Sequence, residues 1–102
     1  MTTYDAVDPA LQRLVQAAID DLALRLDVPA ATIAVAFARP VLWPDRSLGC
    51  PQPGMAYPQV SVDGAKIELS TGGAVYSYHS GGSRLPFLCG GPRPSGQEGG
   101  DV

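Results

Sequence analysis

Cys50 and Cys89 are the only two cysteines of this 102-residue chain, and they allow three kinds of chemistry. A disulfide between them would close a loop of about 40 residues, which the chain-entropy model values at roughly 4 kcal/mol. Two reduced thiols are the second possibility, favoured in a reducing compartment. A metal or redox site is the third, and the residue types alone leave all three open.

His79 is the only histidine, and it could act with the cysteines as a metal ligand or as a catalytic base. Cys50, His79, Cys89 and Met55 would form a soft ligand set for copper(I) or zinc, although their spacing matches no zinc finger or CxxC motif. Cys50 could instead be a thiolate nucleophile, with His79 as its base and Asp45 orienting the imidazole. A small chain with a single histidine leaves little room for a substrate cleft or an oxyanion hole. We therefore expect that the protein is not an enzyme and that it binds no cofactor or metal. The alternative is a thiol- or metal-handling protein that uses Cys50, His79 and Cys89.

A Pro-rich loop, residues 43–58, is the second candidate site. Its four prolines and two glycines are incompatible with a helix and with most strand pairing. Its apolar side chains are hard to leave in water, so we expect a compact, ordered loop of fixed shape. The candidate contact residues are Trp43, Asp45, Arg46, Ser47, Leu48, Gln52, Met55 and Tyr57.

A rigid loop loses little conformational entropy when it binds. This property suits a protein ligand or a protease-inhibitor role. The sequence therefore predicts a non-enzymatic binding or interaction module with a protein partner of unidentified kind.

The Pro-rich loop resembles the signature of a family of small, uncharacterised bacterial domains. The shared pattern is Trp-Pro-Asp-x-Ser-Leu-Gly-Cys-Pro-x-Pro-Gly-x-x-Tyr, followed by two hairpin strands, a Tyr-x-Tyr-His segment and a terminal cysteine. Here the pattern begins at Trp43, continues at residues 76–79 and ends at Cys89, and the resemblance covers about residues 8–89. Members often occur in exported or lipid-anchored proteins, which implies that Cys50 and Cys89 are paired. The resemblance implies no activity.

Residues 9–26 are predicted to form one amphipathic helix, because large apolar side chains and alanine recur at i, i+3, i+4 and i+7. Asp8 can accept hydrogen bonds from the first free N–H groups, and Pro9 suits the first helical position. Pro29 is expected to stop the helix within three residues of Leu26.

Residues 32–39 are predicted to form the first strand. Ile33, Val35 and Phe37 alternate there with alanines. We therefore expect the large side chains to share one face of the strand and to pack on the helix.

Two turn signals divide the rest of the chain into hairpins. Asp63 and Gly64 are typical of a two-residue hairpin turn, and Thr71, Gly72 and Gly73 are typical of a second turn. The last strand is expected at an edge of the sheet, because Pro86 cannot donate a ladder hydrogen bond. The predicted strands cover residues 59–62, 65–70, 74–79 and 85–89.

The predicted fold is α+β, with one N-terminal helix packed on a four- to five-stranded, mostly antiparallel sheet. A single domain is expected over residues 1–89. Residues 90–102 contain five glycines, two prolines and one large apolar side chain, so we expect a disordered tail there.

Composition and charge exclude some classes of partner. The net charge is −3, which is unsuitable for a basic nucleic-acid-binding domain. No apolar run reaches the roughly 18–20 residues of a membrane span. The first residues have neither a cationic start nor an apolar stretch, so no signal peptide and a cytoplasmic location are expected. The family resemblance and a paired Cys50 and Cys89 favour a location outside the cytoplasm instead.

Overall fold

The computed structural model describes residues 8–94, and the only helix longer than one turn within them is α1, Pro9–Leu26. Its bounds are those that the apolar periodicity predicts. In this part of the chain no helix is both long and apolar enough to cross a membrane.

Side chains and backbone at its two ends limit α1 to this length. The carboxylate oxygen Oδ1 of Asp8 accepts hydrogen bonds from the backbone N–H groups of Ala10 (3.1 Å) and Leu11 (3.2 Å). This satisfies two of the donors that a helix start leaves free. Asp27 adopts the left-handed conformation, with φ at 57°, and ends the helix two residues before Pro29.

The remaining elements form one four-stranded antiparallel sheet with the strand order β1-β2-β3-β4. A single turn of 3-10 helix, Ala30–Thr32, connects α1 to it. The predicted α+β class and the helix-on-sheet packing are confirmed. The strands are β1 (Ala34–Trp43), β2 (Val62–Thr71), β3 (Ala74–Gly81) and β4 (Arg84–Pro94).

The main core lies between α1 and one face of the sheet. Leu22 from the helix and Ile67 from β2 are fully buried there. Tyr78 from the middle of β3 is also fully buried, and its hydroxyl donates a 2.7 Å hydrogen bond to Oδ2 of Asp21 on α1. The helix is therefore held to the sheet by apolar contact and by the hydrogen bond between Tyr78 and Asp21.

The predicted hairpin turn at Asp63 and Gly64 is wrong, because both residues lie inside the continuous strand β2. Gly64 pairs with β1 on one side and β3 on the other. A Cβ atom at Gly64 would clash with the carbonyl oxygen of Ser80 and lie 2.6 Å from Nε1 of Trp43. Glycine is thus needed for a close approach across the sheet and not for a turn. The predicted turn at Gly72 and Gly73 is confirmed.

A β-bulge between Val35 and Phe37 overturns the prediction that the large side chains of β1 all face the helix. Val35, before the bulge, packs against the core under α1. The extra residue shifts the alternation by one, which turns every later side chain to the other face. Ala38 is consequently buried in that core, and Phe37 lies outside it with the Arg39 guanidinium 5.3 Å from its ring centroid.

The last strand is longer than predicted. β4 continues through residues 90–94, where Arg93 is opposite Val75 of β3. The Arg93 guanidinium forms an ion pair with Glu68 of β2 at 3.1 Å and donates to Oγ of Ser77 at 3.1 Å. These contacts compensate for the low apolar content of the segment. The rest of the predicted disordered tail, residues 95–102, lies outside the described residues, as do residues 1–7.

Candidate functional site

The first half of the Pro-rich loop packs on the face of the sheet that α1 leaves free. Trp43 at the end of β1 and Val62 at the start of β2 are paired neighbours, and Leu48 from the loop packs with them in a second apolar cluster. Leu48 sits over Gly81 of β3, where a Cβ atom would lie 2.6 Å from its Cδ2. The loop therefore acts as the second covering layer of the sheet.

His79 joins this layer to the sheet. Its ring stacks on Trp43 with the centroids 4.7 Å apart, and its Nδ1 lies 2.7 Å from the carbonyl oxygen of Leu48. A carbonyl oxygen can only accept, so Nδ1 carries the proton. Burial lowers the pKa of His79, which keeps the imidazole neutral at neutral pH. Trp43 is held in turn by the 2.8 Å hydrogen bond from its Nε1 to the carbonyl oxygen of Ser80.

Asp45 shapes the turn that leads into the buried part of the loop. Its Oδ1 accepts a hydrogen bond from the Ser47 backbone N–H at 2.9 Å and another from the Ser47 hydroxyl at 2.5 Å. These bonds hold the pKa of Asp45 below its ordinary value. Asp45 therefore has a structural role in the loop and is not placed to orient His79.

Cys50 and Cys89 form a disulfide with their Cα atoms 5.8 Å apart, which confirms the pairing that the resemblance implies. The bond ties the middle of the loop to β4. Neither sulfur is a thiolate, so the alternative metal site of Cys50, His79 and Cys89 is not formed. Among residues 8–94 there is no group of three His, Cys, Asp or Glu side chains positioned to hold a metal ion.

The second half of the loop projects outward. Residues 51–56, named the loop tip here, are all exposed, and Met55 is 61% exposed. The tip is closed on itself, because the Tyr57 hydroxyl accepts a 3.0 Å hydrogen bond from the Gln52 backbone N–H. Its far end is tied back by the 3.2 Å hydrogen bond from the Arg46 N–H to the carbonyl oxygen of Pro58.

The predicted contact residues thus divide into two groups. Trp43, Ser47 and Leu48 are buried and anchor the loop, so they offer little surface to a partner. Trp43 and Leu48 are buried in the second apolar cluster, and Ser47 precedes Leu48 in the turn that Asp45 holds. Arg46, Gln52 and Met55 are exposed, and Asp45 and Tyr57 are half-buried.

A cavity of about 330 Å³ lies between the loop, the end of α1 and β4. It brings together four of the predicted contact residues, namely Arg46, Ser47, Gln52 and Tyr57, and Cys50 also lines it. It also adds Arg25 from α1 and Arg84 from β4, which were not predicted as site residues. In the sequence, Arg25 and Arg84 are marked only as two of the chain's seven basic residues, which does not indicate that they lie together. The Arg84 guanidinium lies 3.8 Å from the ring centroid of Phe87, which also lines the cavity.

Comparison with known proteins adds a family but no activity. Neither the curated proteins nor the solved structures contain a match to this chain. A family model described as a domain of unknown function, DUF8738, matches residues 15–89. The matched span includes the whole Pro-rich loop, both disulfide cysteines and most of α1. The chain therefore belongs to the DUF8738 family of domains of unknown function.

Proposed function

We propose that this domain is a non-enzymatic interaction module and that the loop tip is its contact surface for a protein partner. One observation carries the proposal. Every residue of the tip is exposed, while both of its ends are fixed, by the disulfide at Cys50 and by the hydrogen bond between Arg46 and Pro58.

Preorganisation supports a binding role. A flexible loop must give up conformational entropy on binding, at about 0.5–1.5 kcal/mol for each side chain that becomes immobile. Pro51 and Pro53 restrict the backbone in the free protein, and the Gln52–Tyr57 hydrogen bond closes the tip. The backbone of the tip is then already ordered before a partner arrives, which lowers the entropic cost of binding.

The composition of the tip supports a protein as the partner. Residues 51–58 contain no charged side chain. Met55 at the tip is flexible and polarizable, and methionine is enriched in protein interfaces. A projecting apolar residue on an uncharged segment fits a shallow apolar pocket on another protein.

Protease inhibition is the narrower form of this proposal. Protease–inhibitor complexes form between surfaces that change little on binding, and a fixed projecting loop meets that requirement. A panel of serine, cysteine and metalloproteases, assayed with a saturating amount of the intact domain, tests it. Inhibition of one class that Met55→Asp abolishes would support this form, and no inhibition of any class would restrict the proposal to a non-protease partner.

Site-specific photo-crosslinking tests the general proposal. A photoreactive amino acid replaces Met55 in one variant and Leu24 in a matched control, since Leu24 on α1 is 83% exposed and does not line the cavity against the loop. In cells of the source organism, the variant at position 55 should give a discrete protein adduct that the variant at position 24 does not give. Equal adducts at both positions, or none at position 55, would contradict the loop tip as the contact surface.

A further inference from the structure

Three arginines from three separate elements converge on the cavity beneath the Pro-rich loop. Arg25 lies in the last turn of α1, Arg46 in the loop and Arg84 at the start of β4, and all three line the 330 Å³ space. No acidic residue lines it. This concentration of positive charge stands out in a chain whose net charge is −3.

Two of these cations have no carboxylate partner within the described part of the chain. Arg25 pairs with Asp21, with 2.6 Å between Nε and Oδ2. Among residues 8–94, Arg46 and Arg84 make no ion pair, in contrast to Arg93, which pairs with Glu68. Two cations without carboxylate partners that line the same cavity give it a positive potential, which favours an anion there.

The geometry of Arg84 leaves its donors available. The guanidinium carbon lies 3.8 Å from the ring centroid of Phe87, a cation–π contact that holds the group in place. The N–H groups lie around the rim of a guanidinium, so this contact does not use them. An arginine held in this way is suited to bidentate binding of carboxylate or phosphate oxygens.

Tyr57 adds a donor to the same cavity. Its oxygen accepts the hydrogen bond from the Gln52 backbone N–H, which leaves the hydroxyl hydrogen free to donate. Ser47 contributes no such donor, because its hydroxyl and its N–H both donate to Asp45. The lining therefore offers guanidinium and phenol donors to an anion.

We propose that this cavity binds a small organic anion carrying two or more carboxylate or phosphate groups. A single oxyanion would not fill it, because 330 Å³ lies in the range of about 300–1,000 Å³ that small-molecule sites occupy. The inference goes beyond the proposed protein contact, since the cavity is lined mainly by residues outside the tip and shares only Gln52 with it. Either can fail while the other stands.

Isothermal titration calorimetry of the full chain tests the proposal, with citrate as the carboxylate probe and pyrophosphate as the phosphate probe. At low ionic strength we expect saturable binding of at least one probe, weakening as sodium chloride is added. Arg46→Gln and Arg84→Gln should each reduce the affinity by about tenfold or more, because each removes charge-assisted hydrogen bonds. Neither side chain forms an ion pair within residues 8–94, so both variants are expected to fold.

Arg39→Gln is the matched control. It removes the same charge, and Arg39 also lies over a phenylalanine, at 5.3 Å from the Phe37 centroid, but it does not line the cavity. Its affinity should equal that of the unchanged chain. In that chain the NMR signals of the Nε–H groups of Arg46 and Arg84 should shift with either probe, while that of Arg39 stays in place. An equal loss of affinity in Arg39→Gln, or no saturable binding of either probe, would overturn the proposal.

Discussion

The imidazole of His79 donates from Nδ1 to the carbonyl oxygen of Leu48, 2.7 Å away, and so fastens the Pro-rich loop to the middle of the sheet. Burial lowers the pKa of His79 in the folded protein and outweighs the hydrogen bond to Leu48, which raises it; the charge of Lys66 on β2 also lowers this pKa, and that of Glu68 raises it. The unfolded chain therefore takes up this proton first as the pH falls. The free energy of unfolding should therefore be independent of His79 titration above about pH 6.5, and it should decrease as the pH falls below that value.

Urea unfolding at about pH 7.5 and about pH 5 checks this prediction. His79 is the only histidine, and the lowered pKa values of Asp21 and Asp45 place their effects below about pH 4. His79→Phe keeps an aromatic ring against Trp43 but removes the titrating group, so it should abolish the loss of stability between the two pH values. An unchanged pH dependence in that variant would show that another group is responsible.

Reduction of the disulfide should destabilise the domain. Cys50 and Cys89 are separated by 39 positions, and closing a loop of that length is worth about 4 kcal/mol in the chain-entropy model. The midpoint of urea unfolding should fall by a corresponding amount when reductant is added. The double variant Cys50→Ser, Cys89→Ser is the control, because reductant should not change its midpoint.

The hydrogen bond from Tyr78 to Asp21 is predicted to contribute measurably to helix docking. Burial disfavours the charged form of Asp21, but the hydrogen bonds from Tyr78 and Arg25 outweigh it, so the pKa of Asp21 lies below its ordinary value. Tyr78→Phe should reduce the free energy of unfolding by roughly 1.5–3 kcal/mol, the range for a hydrogen bond to a charged group. The same change should raise the pKa of Asp21, measured by NMR titration of its carboxyl carbon.

Tyr76→Phe is the matched control for this prediction. Tyr76 faces the same core from the same strand, but within residues 8–94 its hydroxyl makes no hydrogen bond. Its substitution should change stability by no more than about 0.5 kcal/mol. Equal effects of the two substitutions would mean that the Asp21 hydrogen bond adds nothing to the docking of α1.

Gly64→Ala should be the most damaging glycine substitution in the sheet. The added methyl group would clash with the carbonyl oxygen of Ser80 and with the indole of Trp43, two groups that are hydrogen-bonded to each other. We expect a loss of about 1–3 kcal/mol or more, measured by urea unfolding with the fluorescence of the single tryptophan as the signal. Gly90→Ala in β4 is the control and should be nearly neutral, because no heavy atom lies within 4 Å of its added Cβ.

The bounds of α1 could be predicted from local sequence signals alone. The apolar repeat, Asp8 before it and the proline at its first position are all signals within one segment, and they predict Pro9–Leu26 without reference to the rest of the chain. The paired cysteines and the ordered loop were also predictable, the first from the family resemblance and the second from proline and aromatic content. The helix and the loop depend on residues that are close in sequence, and the disulfide has only one possible pairing because the chain has two cysteines.

The errors in the strands have a different origin. Asp63 and Gly64 carry the residue types of a hairpin turn, yet Gly64 is required by the indole of Trp43 and the backbone of Ser80, which are distant in sequence. The bulge before Phe37 likewise arises from pairing with β2 and leaves no local signature. Strand register depends on partners, and a single strand does not contain that information.

By itself, then, the sequence determined the helix, the α+β class and an ordered Pro-rich loop, because apolar period, capping and proline content act over short distances. The tertiary structure alone decided which loop residues face inward and where the charges meet. Arg25, Arg46 and Arg84 lie in three separate elements, and only the packing of α1, the loop and β4 brings them to one cavity. Their convergence is a property of strand order and loop path, which long-range contacts determine.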